Sequence, residues 1–436
     1  MHLIRVTIVF VGLSVAASAG WAENWQELVA DRTAAATDRM VALRHDFHAS
    51  PELGNREFKT AAKVATRLRE LGFDEVQTGI AYTGVVGILK GDKPGPVVAL
   101  RADMDGLPVT EKTGLPYASK VTTQWRGQET GVMHACGHDA HMAILLGVAE
   151  VLSGMREQIP GTVKFIFQPA EEGTPPGEEG GADLMIKEGV LAGEYAPGAI
   201  FGLHVFPFTP GAIGYRPGGM MAASDGLYIK VKGVQTHGSM PWTGVDPIAV
   251  SAQIINSLQQ VVSRQLDLTN APAVITIGSI NGGNRGNIIP EEVEMTGTIR
   301  TLDPQMRLDV HARIEKTVQL VAQASGAEAD VEIRQGYPVM FNDPELTAQM
   351  APVLRRVAVG GQAIVGKPVL AAEDFSYFAQ EIPALFFGLG VAKEGLGLAD
   401  SAPNHSPYFY VNDAALPVGV EALSNLALEW LYGADL

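Results

Sequence analysis

Short apolar runs alternate with helical stretches through the first 170 residues, and this alternation restricts the possible fold more than any other feature. The runs are bounded by Gly or Pro and predict buried strands at residues 84–89, 97–100 and 163–167. The helical stretches are residues 34–44, 57–71 and 140–152. Strands that alternate with helices favour a largely parallel sheet with covered faces. We therefore predict an α/β fold.

A different pattern occupies residues 222–336. Its elements follow in the order strand, helix, strand, strand, helix, strand, at residues 227–231, 247–265, 273–280, 293–300, 304–324 and 329–334. This order is typical of a small α+β layer of ferredoxin-like type. We predict that this layer is an inserted domain, which divides a larger domain into residues 23–221 and 337–436.

Residues 1–22 have the composition of a secretory signal peptide. Arg5 precedes an apolar run at 6–19, and small residues then offer cleavage after Ala19 or Ala22. The run is short for a transmembrane helix, although an uncleaved anchor or a buried N-terminal helix are alternatives. We predict an exported protein, periplasmic or secreted, that has no membrane contact once the leader is removed.

Charge and motifs exclude several classes of function. The chain has 436 residues and a net charge of −16 without a basic stripe, which argues against nucleic-acid binding. There is neither a Gly-x-Ser-x-Gly elbow nor a phosphate-binding glycine motif, so a serine hydrolase and a nucleotide-binding enzyme are disfavoured. A single cysteine, Cys136, cannot form an internal disulfide.

Two pairs of carboxylates follow predicted strands. Asp103 and Asp105 follow the strand at 97–100, and acids so close repel each other unless a cation, proton or hydrogen bond compensates them. Taken alone, this pair suits a turn equally well. Glu171 and Glu172 follow the strand at 163–167, where one acid can bind a metal and the other can accept a proton from water. A bare Glu-Glu pair is more often solvated surface.

The densest cluster is residues 134–141, His-Ala-Cys-Gly-His-Asp-Ala-His. Imidazole and thiolate bind zinc and other borderline metals, and the lack of a second Cys pair favours an open catalytic site over a closed structural one. Some of these side chains must orient ligands instead of binding the metal. A lone histidine such as His204 or His405 is more often a core residue. Together with the acidic pairs, however, these residues supply donors for two metals.

These segments resemble the M20 metallopeptidase superfamily, specifically its amidohydrolase branch, which includes hippurate hydrolases and auxin-conjugate hydrolases. The resemblance runs from about Arg44 to the C-terminus. It is carried by residues 45–52, 101–105, 133–141, 168–173, 237–241, 286–290, 372–375 and 404–406. It implies a zinc-peptidase-like catalytic domain with a mixed, largely parallel sheet and an inserted ferredoxin-like domain that acts as lid and dimerisation domain.

The resemblance also implies roles for individual residues. Two divalent metal ions per chain (Zn, Mn, Co or Ni) would be held by Cys136, His138, Glu172, His204 and His405, with Cys136 as the bridge. Glu171 would be the general base, and Asp105 would hold a ligand histidine. Asp103 and Cys136 stand where other branches have a metal-binding His and a bridging Asp, which points to the amidohydrolase branch.

In the lid, His237 would stabilise the oxyanion, commonly from the partner subunit of a homodimer. Asn287 and Arg300 would bind the substrate carboxylate, although Asn287 also suits a turn before Pro290. This chain has Met-Pro-Trp242 where the family often has Met-Pro-His, a departure that affects the expected substrate pocket.

The implied activity is metal-dependent hydrolysis of the amide bond of N-acyl amino acids, either hippurate-like or N-acetyl compounds. The nearest alternative is a dipeptidase or carboxypeptidase on the same scaffold. A non-catalytic periplasmic binding protein is a further alternative, but the full set of five ligands and Glu171 argues against it. The expected partners are a small-molecule substrate and a second copy of the chain.

Overall fold

The computed structural model describes residues 16–433. Its α-helices are α1 (Ala16–Ala49), α2 (Phe58–Glu70), α3 (His138–Ser153), α4 (Gly181–Lys187), α5 (Pro247–Gln265), α6 (Pro304–Ala324), α7 (Pro344–Val357), α8 (Phe375–Glu381) and α9 (Leu416–Gly433). Its strands are β1 (Glu75–Ile80), β2 (Gly84–Lys90), β3 (Lys93–Asp103), β4 (Thr122–Trp125), β5 (Gln128–Gly131), β6 (Pro160–Gln168), β7 (Ala199–Phe206), β8 (Ile213–Tyr215), β9 (Gly218–Met221), β10 (Ala223–Lys232), β11 (Thr236–His237), β12 (Ala273–Gly282), β13 (Ile288–Ile289), β14 (Glu292–Thr301), β15 (Glu328–Arg334), β16 (Met340–Asn342), β17 (Ala363–Val365) and β18 (Ala384–Gly390).

The larger layer is an eight-stranded mixed sheet with the strand order β1-β2-β6-β3-β7-β18-β8-β17. Its four central strands, β6, β3, β7 and β18, are parallel to one another. They are buried on both faces, because α1, α3 and α9 pack over one side and α4 and α8 over the other. Parallel strands end at the same edge of a sheet, so the loops that follow these four strands lie together.

The second layer is a four-stranded antiparallel sheet with the order β12-β14-β10-β15. Numbered within the layer, this order is 2-3-1-4, and the helices α5 and α6 cover one face. Buried and exposed residues alternate along β10 and β14, as expected when one face of a sheet meets helices and the other does not. The predicted fold class, α/β with a ferredoxin-like layer, is confirmed. The domain boundaries at 222 and 336 remain a prediction.

The same local signal begins three of the helices. Asp246, Asp303 and Asp343 precede α5, α6 and α7, and each aspartate is followed by a proline at the first helical position. Each carboxylate accepts a hydrogen bond from a backbone N–H of the first turn, where an aspartate cap is favourable and proline loses nothing.

Several predicted elements are longer in the structure. The helix predicted at 34–44 lies in the C-terminal half of the much longer α1, and the strand predicted at 97–100 lies within β3, whose buried part is 98–103. Most of the predicted leader, residues 1–15, lies outside the described residues, and both predicted cleavage points fall within α1. Among the helices of the described part, none has both the length and the apolar character that a membrane span requires.

Candidate metal centre

The side chains with candidate metal donors lie at or beyond the carboxyl ends of β3, β6, β7 and β18. Asp103 is the last residue of β3 and pairs in register with Gln168, the last residue of β6. His204 lies near the end of β7 opposite Gly388 of β18. The parallel arrangement therefore brings together segments that are separated by up to 272 residues in sequence.

Five predicted ligands form one cluster. The Sγ atom of Cys136 lies 3.2 Å from Nε2 of His204 and 3.2 Å from Nε2 of His405. Nε2 of His405 lies 2.9 Å from Oε1 of Glu172, and the same oxygen lies 4.0 Å from Nε2 of His138. Each of the overlapping groups Cys136–His138–His204, Cys136–Glu172–His405 and His138–Glu171–Glu172 has ligand atoms within 4.8 Å of one another.

The backbone around Cys136 and His405 explains how these side chains meet. Gly137 has φ +96°, and a Cβ atom there would lie 2.3 Å from Val205, so only glycine allows α3 to begin at His138. His405 also has a positive φ, +68°, and its N–H donates to the carbonyl of Ala135 at 2.8 Å. The loop at 404–406 is thereby held against the loop at 134–137.

Asp105 joins His138 to the Glu171–Glu172 turn. Its carboxylate accepts hydrogen bonds from the N–H groups of Glu171 and Glu172, each at 3.0 Å, and lies 3.2 Å from Nδ1 of His138. Glu57 accepts from the N–H of Ala170 at 2.9 Å, where φ is +52°. Two buried carboxylates therefore hold three successive N–H groups of this turn.

The geometry fits a divalent metal. Nδ1 of His138 is used by Asp105, while Nε2 has no hydrogen-bond partner among residues 16–433, although it is fully buried. This nitrogen lies 3.7 to 4.0 Å from carboxylate oxygens of Asp103, Glu171 and Glu172. A neutral imidazole directs a lone pair at those oxygens, an arrangement that a cation between them stabilises.

The surroundings of the Cys136 thiol also fit a divalent metal. The ring of His204 donates from Nδ1 to the carbonyl of Val205 at 2.8 Å, so its Nε2 directs a lone pair toward Cys136. Burial and the carboxylates of Glu172 and Glu171 raise the pKa of the Cys136 thiol well above its usual range. This sulfur therefore becomes a thiolate only beside a cation.

Glu171 is 5% exposed and borders a second acidic group, Glu373 and Asp374, whose ligand atoms lie within 4.8 Å of its own. Burial raises the pKa of the Glu171 carboxyl well above its usual range, and the carboxylates of Glu373 and Glu172 raise it further. The hydroxyl of Tyr337 donates to the Glu171 carbonyl at 2.6 Å. The backbone that carries the Glu171 side chain is therefore anchored, and the carboxyl group is largely shielded from water.

No role was predicted for the residues that compensate this acidic group. The guanidinium of Arg101, fully buried, donates to Asp103 at 2.7 Å, Asp374 at 2.9 Å and Glu373 at 3.0 Å. Gln168 donates to both oxygens of Asp374, at 2.7 and 2.8 Å. Arg101, Glu373 and Asp374 lie in segments that carried the family resemblance, but only the fold reveals that they meet.

His141 is the cluster histidine with no position left for a metal. Its Nδ1 lies 2.6 Å from Asp103, and its Nε2 accepts from the N–H of Val205 at 2.9 Å. His134 is also buried, but neither of its ring nitrogens has a hydrogen-bond partner among the described residues. Of the histidines in 134–141, only His138 lies in both a thiol-containing and a Glu-containing group.

The predicted lid residues lie apart from this cluster. His237 is on β11, is exposed and bonds to Ser239, and Asn287 adjoins it because the Asn287 carbonyl accepts from Gly238. Arg300 lies on β14. Within the described part of the chain, no hydrogen bond or ion pair joins these three residues to the five-ligand cluster.

Thiolate, imidazole and carboxylate donors that surround a buried glutamate at the strand ends of an α/β sheet define a metal-dependent hydrolase. Residues 99–429 match Peptidase family M20/M25/M40, and the chain belongs to this family and to its amidohydrolase branch.

Individual relatives cover nearly the whole chain. Thermostable carboxypeptidase 2 of Saccharolobus solfataricus is 40% identical over 397 residues, which are 90% of this chain and 95% of that protein. N-acetyl-L-cysteine deacetylase of Bacillus subtilis is 35% identical over 379 residues, 87% of this chain and 85% of that protein. The crystal structure of a Bacillus subtilis dinuclear metal binding peptidase from the M20 family superposes with a TM-score of 0.77 at 33% identity, covering 91% of this chain and 99% of that one.

Proposed function

We propose that this chain hydrolyses the amide bond of N-acyl amino acids, either N-acetyl or hippurate-like compounds. Two observations support the proposal: the five-ligand cluster beside Glu171, and the relationship to a protein named as an N-acetyl-L-cysteine deacetylase. The observation that carries it is Nε2 of His138, a buried nitrogen that faces oxygens of Glu171 and Glu172 and has no hydrogen-bond partner in the described part of the chain.

In this proposal two divalent cations (Zn, Mn, Co or Ni) are held by Cys136, His138, Glu172, His204 and His405. When bound, such cations lower the pKa of water and polarise a carbonyl group. The mixture of thiolate, imidazole and carboxylate suits borderline metals but does not select one of them. The relative that is a dinuclear metal binding peptidase supports the number of ions.

Glu171 acts as the general base. It takes a proton from the attacking water and delivers it to the leaving amine, so one carboxyl group serves both halves of the reaction. Asp105 fixes both the backbone of Glu171 and the ring of His138, which keeps the base and a ligand in a constant relation. The products are a carboxylic acid and an amino acid.

His237, Asn287 and Arg300 complete the site from the lid. His237 donates to the oxyanion, and Asn287 and Arg300 bind the substrate carboxylate. Since these residues are not bonded to the five-ligand cluster within one chain, they reach it when the lid closes or when a second copy supplies them. The functional unit in this proposal is a homodimer formed through the lid layer.

The second candidate is a carboxypeptidase or dipeptidase that uses the same groups. The 40% identity with a thermostable carboxypeptidase favours it, because both reactions cleave an amide next to a carboxylate-bearing residue. We place N-acyl amino acids first because of the branch to which the chain belongs. The proposed location is the periplasm or the exterior of the cell, which fractionation and N-terminal sequencing of the mature protein test.

The deciding experiment compares N-acetyl, N-benzoyl and dipeptide forms of one amino acid with metal-loaded protein. Glu171→Gln should keep its metal and lose activity, whereas the adjacent Glu172→Gln should lose metal as well. Hydrolysis of the acyl forms supports the first candidate, and hydrolysis of only the dipeptides supports the second. If fully metal-loaded wild type releases amine from none of them, the chain is not the proposed enzyme and a binding function replaces it.

A further inference from the structure

Asn404 lies directly before His405, in the loop that brings this histidine to the five-ligand cluster. Its amide nitrogen is 3.1 Å from the carbonyl oxygen of Cys136 and 3.1 Å from that of Val205. Both partners only accept hydrogen bonds, so the NH2 end of the amide must face them, and both of its hydrogens are used. One side chain thereby joins two loops and the end of β7, and each of these three segments carries a candidate ligand.

The backbone of Val205 is held in place by hydrogen bonds of its N–H and its carbonyl group. Its N–H donates to Nε2 of His141 at 2.9 Å, and its carbonyl accepts from Nδ1 of His204 at 2.8 Å as well as from Asn404. The first of these bonds is anchored by Asp103, which lies 2.6 Å from the other nitrogen of His141. A contact with this carbonyl therefore sets the position of the 404–406 loop relative to His204.

The conformation of His405 requires such a restraint. Its φ of +68° is in the left-handed region, which residues other than glycine adopt only when surrounding contacts hold them there. Two bonds link this segment to residues 135 and 136: the N–H of His405 donates to Ala135 at 2.8 Å, and Asn404 donates to Cys136. The ring of His405 itself is 55% exposed, so packing contributes little to its position.

We propose that Asn404 is a positioning residue for the metal centre, and that its amide group holds Cys136, His204 and His405 at the mutual distances that two cations need. The inference rests on the proposed metal centre. Asn404 acts through the three ligands, and its nitrogen lies 4.0 Å from the sulfur of Cys136 without taking a ligand position.

The test is the affinity of the purified protein for Co²⁺ and Zn²⁺, measured by competition with a chromophoric chelator. Asn404→Ala removes both donors without adding charge, and we expect the dissociation constant to rise about 10- to 100-fold. Asn404→Ser restores one donor and should give an intermediate value. The absorption spectrum of the cobalt-loaded protein should change in both variants, because it reports the geometry of the thiolate and imidazole ligands.

Asn342 provides a matched control. Its amide nitrogen also donates to two carbonyl groups, those of Arg216 at 2.9 Å and Phe386 at 2.8 Å, but neither belongs to a loop with a candidate ligand. Asn342→Ala should lower the thermal midpoint of the metal-free protein and leave the cobalt spectrum and affinity unchanged. If this variant does not fold, Asn404→Ser and Asn342→Ser form the matched pair.

The outcomes separate the two proposals. Wild-type protein that binds neither metal overturns the metal centre itself. Wild-type protein that binds metal, with an Asn404→Ala variant of equal affinity and identical spectrum, overturns the positioning role alone. Equal losses of affinity in the Asn404 and Asn342 variants also overturn it, since a general loss of stability then accounts for both.

Discussion

A buried ion pair in the ferredoxin-like layer gives a stability prediction whose size follows from the structure. Asp225 on β10 accepts hydrogen bonds from the guanidinium of Arg307, from the N–H of Gly336 at 3.1 Å and from Nε2 of His311 at 2.7 Å. Its side chain is fully buried. The carboxylate therefore connects β10, α6 and the segment that leaves β15.

Burial opposes the ionisation of Asp225, but the hydrogen bonds from His311 and Arg307 outweigh it and lower the pKa to about 2, from an ordinary 3.8. The lowering of the pKa from 3.8 to about 2 corresponds to roughly 2.5 kcal/mol of stability at neutral pH. Because the folded-state pKa is the lower one, this stabilisation is present above pH 3.8 and is lost as the pH falls through 2. At pH 3 about half of it, roughly 1.3 kcal/mol, remains.

Asp225→Asn should therefore reduce the free energy of unfolding by about 2–4 kcal/mol at pH 7, since the variant also leaves Arg307 buried without its anion. Urea unfolding followed by circular dichroism measures the loss, and hydrogen exchange should locate it in β10, β14 and β15. The difference between wild type and variant should shrink between pH 7 and pH 3.

Asp309→Asn is the control, because Asp309 on the same helix forms an exposed i,i+4 pair with Arg313 and should contribute less than about 0.5 kcal/mol. A loss of under 0.5 kcal/mol in Asp225→Asn, or a difference from wild type that does not change between pH 7 and pH 3, would refute the reasoning.

Three further predictions concern the lid core, the junction beside Glu171 and the metal. Leu258→Ala, at a fully buried position of the ferredoxin-like layer, should lower the free energy of unfolding by about 2–5 kcal/mol. Leu308→Ala, at an exposed position, should change it little, and equal effects of the two substitutions would contradict this prediction. Tyr337→Phe leaves the Glu171 carbonyl without its donor and should lower kcat several-fold at unchanged metal content. The reason is that a lost buried hydrogen bond costs about 1–3 kcal/mol. An unchanged kcat would show that the bond does not position Glu171. Removal of metal by a chelator should lower the thermal midpoint and added Zn²⁺ should restore it, and a midpoint insensitive to both would count against a metal centre.

Local sequence patterns were sufficient for much of the fold. The sequence predicted β10, α5, β12, β14, α6 and β15 in order, because alternation and helical spacing are properties of short windows and Asp-Pro marks the start of α5 and α6. The two-residue strands β11 and β13 were not predicted. The first part of β3 was missed because Pro94 and Pro96 argue against a strand. The structure accommodates them at a register shift between Lys93 and Val97, before the buried pairing begins.

Local sequence patterns predicted only part of the candidate metal centre. Cys136 and His138 lie within one dense segment that composition singled out. Glu171 and Glu172 were noticed for their place after a predicted strand, and the family resemblance supplied their separate roles. The bond between Arg101 and Glu373 spans 272 residues and has no local signature. The family resemblance supplied roles for the lid residues, but their relation to the five-ligand cluster depends on lid position, which sequence patterns do not encode.

The acidic residues beside the candidate metal centre differ in how their negative charge is compensated. Arg101 is shared by three carboxylates, and one guanidinium neutralises only one charge. Backbone N–H groups assist further, at Phe375 for Glu373 and at Ala182 for Asp374.

Glu171 and Glu172 receive no such compensation, because among the described residues neither is paired with a Lys or Arg side chain. Their closest basic groups are the rings of His138 and His405, which are themselves candidate ligands. Buried anions are stable only when paired with cations or metals. The anionic surplus is therefore concentrated at the two glutamates that the proposed mechanism needs. In that proposal, cation binding contributes to the stability of the site, and Glu171 lies within reach of a cation that Glu172 would hold.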